Sequence, residues 1–143
     1  MANDSISFSY ERFPRTDPKT GKIIGEKFYP IVIIKIKYSH YYSRPFRALV
    51  DSGSDRNLFP AHIGESVGIS FKKGESVIIK GIGDGETKAK TKKVKLCIDT
   101  NEYDTEIDFS YDQQMPLLGR EGFFDLFESV TFNHKTKFFD IKL

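Results

Sequence analysis

Ala48-Leu49-Val50-Asp51-Ser52-Gly53-Ser54 is the stretch on which the reading of this chain turns. Three apolar residues carry an acidic side chain to the end of a strand, and small residues then turn the backbone. Their donors can hold the Asp51 carboxylate in one place. The same composition also suits a plain connection between two strands. The segment therefore gains its meaning from what surrounds it.

Outward from it, apolar residues alternate rather than recur at helical spacing. Upstream, Phe28 to Tyr38 is β-branched and aromatic, with Ile34, Ile36 and Tyr38 alternating against Lys35 and Lys37. Earlier still, Ile6, Phe8 and Tyr10 alternate with serines, and Asp17-Pro18-Lys19-Thr20-Gly21 carries the fixed proline φ and permissive glycine of a turn. Downstream, Glu75 to Lys80 reads as strand, as do Val94, Leu96 and Ile98, then Tyr103, Thr105, Ile107 and Phe109. A helical turn is expected near Pro60 to Glu65. A helix is expected over Glu121 to Glu128, where Phe123, Phe124, Leu126 and Phe127 read as core. Val130 to Leu143 reads as a hairpin turning around Asn133 to Thr136. Many short strands with one short C-terminal helix predict an all-β, sandwich- or barrel-like fold. Residues 1–143 read as a single domain, with 1–28 as an appended N-terminal hairpin and 130–143 as a C-terminal one.

Composition narrows the function. The chain has 143 residues, 38% of them apolar and 29% charged, and thirteen Phe supply core bulk in the absence of Trp. Lys and Arg total 22 against 20 Asp and Glu, a net charge of +2. That balance is too even for a dedicated nucleic-acid binder. Lys88, Lys90 and Lys92 share one strand face and read as a solvated row that discourages edge pairing. The single Cys97 excludes an internal disulfide and fits a reducing compartment. The apolar run Ile31 to Ile34 is broken at once by Lys35 and Lys37, far short of a membrane span. The N-terminus lacks the basic start and apolar stretch of a secretory signal. A cytoplasmic protein is expected.

Two further motifs follow Asp51 in order. Ile79-Lys80-Gly81-Ile82-Gly83-Asp84-Gly85 is a glycine-punctuated tip between strand-like runs, and Met115-Pro116-Leu117-Leu118-Gly119-Arg120 leads into the expected helix. This order resembles the retroviral-type aspartic proteases, the retropepsins, with their apolar-apolar-Asp-Thr/Ser-Gly signature, glycine-rich flap and apolar-apolar-Gly-Arg motif. The resemblance spans roughly Tyr29 to Val130 and implies a closed β-barrel. It places Asp51 on the catalytic aspartate, with Ser52 and Gly53 completing the triplet. Ser54 and Asp55 fall on substrate-contacting positions, and Gly81, Ile82, Gly83, Asp84 and Gly85 on the flap tip. Gly119 and Arg120 fall on supporting positions, Arg120 as the ion-pair partner of Asp55. Asp84 and the Lys-rich stretch after it depart from the family pattern.

The resemblance implies an aspartic endopeptidase working as a homodimer on extended apolar segments of peptide or protein, without metal or other cofactor. Two Asp51 carboxylates, one from each copy, cannot both ionise cheaply when they meet, so the pair holds one proton. The ionised member activates a water and the other protonates the carbonyl oxygen. Ser52 is expected to bond across the two-fold axis, and Ser54 to donate to the outer oxygen of Asp51. Phe138 to Leu143 is expected at the subunit contact, because family members interleave their chain ends. The alternative is a catalytically inactive module of the same fold that binds peptide or assembles proteins. Other signals fail on spacing. Gly81-Ile82-Gly83 lacks the third glycine of a dinucleotide fingerprint, an EF-hand from Asp51 breaks at Gly53, Arg56 and His62, and the three His show no zinc spacing.

Overall fold

Alternation at Ile34 and Ile36 against Lys35 and Lys37 produces a strand with one buried face, and that face lines a barrel. The computed structural model describes residues 4–72, 77–80 and 85–143. In chain order the strands begin with β1 (Ser5–Ser9), β2 (Glu11–Thr16), β3 (Ile23–Tyr29), β4 (Ile31–Tyr38) and β5 (Tyr41–Tyr42). β6 (Phe46–Val50) and β7 (Leu58–Pro60) precede a short α-helix, α1 (Ala61–Ser66), the single one among the described residues. β8 (Val77–Lys80), β9 (Glu86–Ile98), β10 (Asn101–Ser110), β11 (Leu117–Leu118), β12 (Ser129–Asn133) and β13 (Phe138–Lys142) complete the chain.

Six of these close on themselves in the order β4-β6-β11-β7-β10-β9, and the ring shuts where β9 pairs back onto β4 with Ile36 opposite Leu96. The β6–β11 and β7–β10 pairs are parallel, and the rest of the ring is antiparallel. Val32, Ile34, Ile36, Val50, Phe59, Leu96, Ile107 and Leu118 are almost wholly buried. The Phe59 ring meets Phe46 edge-on at 5.4 Å and Phe109 at 6.2 Å. Such pairs add about 0.5–1.5 kcal/mol each to the burial itself.

Outside the barrel, β13 lies between β1 and β12 in a three-stranded antiparallel sheet. Its register sets Phe139 between Phe8 and Phe132, and Ile141 between Ile6 and Val130. Phe139 and Ile141 are fully buried. Both edges of β13 are thus paired within the chain, so this strand has no free ladder for the intersubunit interleaving expected of Phe138 to Leu143. β2 and β3 form a separate two-stranded hairpin. Its turn closes with the Gly21 amide donating to the Asp17 carbonyl at 2.8 Å, at a Gly21 φ of +71° that favours glycine.

The expected helix over Glu121 to Glu128 is reduced to one 3-10 turn at Phe124–Leu126, whereas the helical turn expected near Pro60 to Glu65 is the α-helix Ala61–Ser66. Tertiary pairing outweighs propensity here. The Arg120 and Glu121 amides donate to the carbonyls of Ser54 and Asp55, Gly122 has φ of +102°, and Phe127 is already extended. Phe123 and Phe127 are buried in the core, with Phe124 packed against it. The lysine row also differs from expectation. β9 is no edge strand, since β10 runs along one side and β8 and β4 along the other. Lys90 is half-buried, its ammonium donating to the Phe71 carbonyl.

Candidate active site

β6 delivers Asp51 to a turn whose backbone is fastened on both sides. The Asp51 amide donates to the Leu118 carbonyl at 2.9 Å, and the Ser54 amide donates to the Asp51 carbonyl at 3.1 Å. Asp51 is half-buried, and its Oδ1 accepts the Gly53 amide at 2.9 Å. A Cβ on Gly53 would sit 3.2 Å from that oxygen, so glycine lets the amide approach the carboxylate closely. The other carboxylate oxygen has no intrachain donor among the described residues. Ser52 and Gly53 are exposed beside it.

The segment of Leu117 to Arg120 lies directly alongside. Leu117 and Leu118 pair in parallel with Leu49 and Val50. The Gly119 amide donates to the buried Asn57 Oδ1 at 3.0 Å, and Asn57 Nδ2 donates to the Glu106 carbonyl at 3.2 Å. A Cβ on Gly119 would lie 2.3 Å from the Arg56 carbonyl oxygen, a contact with backbone that no side chain can relieve. The two motifs, 65 residues apart in sequence, are therefore one object in space.

Residue by residue, the structure sorts the expectations. Arg120 donates to Asp55 in an ion pair with both side chains largely exposed, at 60% and 74%. Ser54 does not serve Asp51 through its side chain, because its hydroxyl donates to the Arg56 carbonyl at 2.7 Å and staples the turn. Gly85 is exposed at the start of the connection into β9, whereas Gly81, Ile82, Gly83 and Asp84 lie outside the described residues. Cys97 is buried, and burial pushes its thiol up, opposite to the depression that a nucleophilic cysteine needs. Among the described residues, no group of three or more His, Cys, Asp and Glu side chains is arranged to hold a metal ion, and no helix is long and apolar enough to cross a membrane.

One constellation lies outside the motifs singled out in the sequence. Asp108 is fully buried on β10, and its carboxylate accepts Arg56 Nε at 2.8 Å, Arg56 Nη2 at 3.2 Å and Thr91 Oγ1 at 2.6 Å. Glu106 and Glu121 add ion pairs to the same guanidinium, each at 3.3 Å. Arg56 is held more firmly protonated than a free arginine, chiefly by its hydrogen bond to Asp108, against partial burial that works the other way. The effect is to anchor the loop after Asp51 to β10 and, through Thr91, to β9. An acid among apolar strand residues, Ile107-Asp108-Phe109, is the one sequence signal that could have pointed to it. Arg56 also lines a cleft of about 830 Å³ with Lys93, Lys95, Glu106 and Glu121, a cleft that Asp51 does not line.

No family model and no curated protein matches the sequence. Solved structures do match in shape. A retropepsin-like aspartic protease from Rickettsia conorii superimposes with a TM-score of 0.58 at 14% identity, covering 96% of this chain and 92% of that one. The EIAV protease, solved in complex with the inhibitor HBY-793, gives a TM-score of 0.51 at 20% identity over 64% of this chain and 82% of that one. The chain has the fold of the retropepsin-like aspartic proteases.

Proposed function

We propose that this chain is an aspartic endopeptidase that works as a homodimer. The observation that carries the reading is Asp51 itself: a half-buried carboxylate at the end of a barrel strand, one oxygen held by the Gly53 amide, in a chain of this fold. One copy supplies one carboxylate, and a two-fold axis beside the exposed Ser52-Gly53 turn supplies its mate. Two carboxylates brought together in this way share a single proton. The ionised Asp51 takes a proton from a water held between the pair. The water oxygen bonds to the peptide carbonyl carbon while the protonated Asp51 gives its proton to the carbonyl oxygen. Collapse of the tetrahedral intermediate breaks the C–N bond and hands a proton to the departing amine.

The neighbouring groups fit supporting roles in that scheme. Ser52 bonds to the partner's backbone across the axis. The antiparallel β8–β9 pair belongs to the flap over an extended, apolar peptide bound in strand-like pairing. Asp55, oriented by Arg120, meets the peptide backbone beside the reacting bond. A reducing, cytoplasmic setting suits the single buried thiol.

The test is digestion of a peptide library across pH by the parent and by Asp51→Asn. The parent should cut with a bell-shaped pH dependence, because one carboxylate must be protonated while the other is ionised. Asp51→Asn should lose cleavage with its fold and association unchanged. Equal cleavage by the two proteins would end the reading, and a parent that cuts nothing at any pH would favour the inactive module of the same fold.

A further inference from the structure

We infer that the Glu11–Tyr29 hairpin is an arm that joins two copies of this chain, pairing the free edge of β3 with the same edge of its mate. The inference rests on the two-copy reading above and adds the surface that makes the copies meet. A specific interface buries about 800 Å² per partner. The exposed Ser52-Gly53 turn cannot supply that area by itself, and β13, closed between β1 and β12, offers no free edge to add to it.

The arm has what is missing. None of its residues is buried, and Ile23 and Ile24 near its tip are 72% and 60% exposed. A two-stranded hairpin on its own is marginal in water, so this one gains from a further strand. Its position is also right. β3 runs into β4 through Pro30, whose carbonyl accepts the Val50 amide at 2.9 Å. The arm therefore leaves the barrel beside the residue that precedes Asp51, where the second copy must approach.

The two edges of the arm are not equivalent. Pro14, opposite Glu26 in the ladder, has no N–H, so it occupies a position where β2 would otherwise donate outward. That blunts the outer edge of β2. β3 contains no proline, and among the described residues no strand and no other backbone hydrogen bond reaches its outer edge. Strand pairing across a two-fold axis is antiparallel and self-complementary, giving a four-stranded sheet with β2 outermost on each side. Residues facing each other in such a ladder share their outward or inward direction, so Glu26 donates outward as well.

Two variants test this in the full chain by sedimentation equilibrium. Ile23→Lys/Ile24→Lys removes apolar contact from exposed positions, and Glu26→Pro removes an outward donor just as Pro14 does. Each should raise the dimer dissociation constant at least about tenfold, with far-ultraviolet circular dichroism unchanged. Dissociation constants within about twofold of the parent for both folded variants would overturn the arm. A parent that stays monomeric at about 100 µM would also overturn it and hand the hairpin to a different protein. The enzymatic reading fails separately, through peptide cleavage. Dimers lost in the arm variants together with an inactive parent keep the arm and remove the protease. Dimers kept in the variants with Asp51-dependent cleavage remove the arm and keep the protease.

Discussion

Replacing Arg56 by Met should unsettle the whole molecule, because it strands a carboxylate that has no access to water. Asp108 is 0% exposed and takes two of its three hydrogen bonds from the Arg56 guanidinium, at 2.8 and 3.2 Å. After the substitution only the Thr91 hydroxyl remains. Removing one partner of a buried pair costs about 3–5 kcal/mol. Arg56 is itself 35% exposed, so water reaches part of the vacated space and the lower end applies, about 3 kcal/mol. For a domain of this length that lowers the melting temperature by roughly 10 °C. Asp108→Leu should cost less, since the freed guanidinium keeps Glu106 and Glu121 at 3.3 Å and its outlet to solvent. The double variant Arg56→Met/Asp108→Leu should be more stable than Arg56→Met alone, because no charge is left buried. Urea titration of the four proteins measures the cycle. A loss under about 1 kcal/mol for Arg56→Met, or simple additivity in the double variant, would refute the reasoning.

Two other substitutions probe the same loop from different sides. Gly119→Ala places a methyl group 2.3 Å from the Arg56 carbonyl oxygen, so the loop must move; we expect a loss of about 2–3 kcal/mol in thermal unfolding and a collapse of peptide cleavage together. Arg120→Ala breaks an ion pair whose members are 60% and 74% exposed, and should cost under about 1 kcal/mol in urea while raising KM for peptide more than it lowers kcat. A stability loss several times larger would contradict the exposed geometry.

How far each of these features could be read in advance depends on the range of the interaction that makes it. The turn at Asp17 to Gly21 is local, and so are the alternations at Ile34 and Ile36, at Val94 to Ile98 and at Tyr103 to Phe109, so neighbours a few residues apart suffice to reveal them. Over Glu121 to Glu128 the same approach fails. The local pattern favours a helix, but the amides at its start are taken by carbonyls 65 or more residues earlier in the chain. The lysine row misleads for a related reason. Solvation of Lys90 depends on whether β9 is an edge, which only the pairing of β8, β4 and β10 decides.

The amino-acid order alone determined the β character of this protein and the place of Asp51 at a strand end, since each depends on side-chain period and backbone permissiveness within a few residues. Only the tertiary structure decided that Ser54 turns its hydroxyl to the Arg56 carbonyl, that Asp108 clamps the loop from 52 residues away, and that β13 spends both edges inside its own chain. Those outcomes follow from competition for hydrogen bonds once the barrel has closed. A donor goes to whichever acceptor the fold brings nearest, and nothing in a one-dimensional pattern states which that will be.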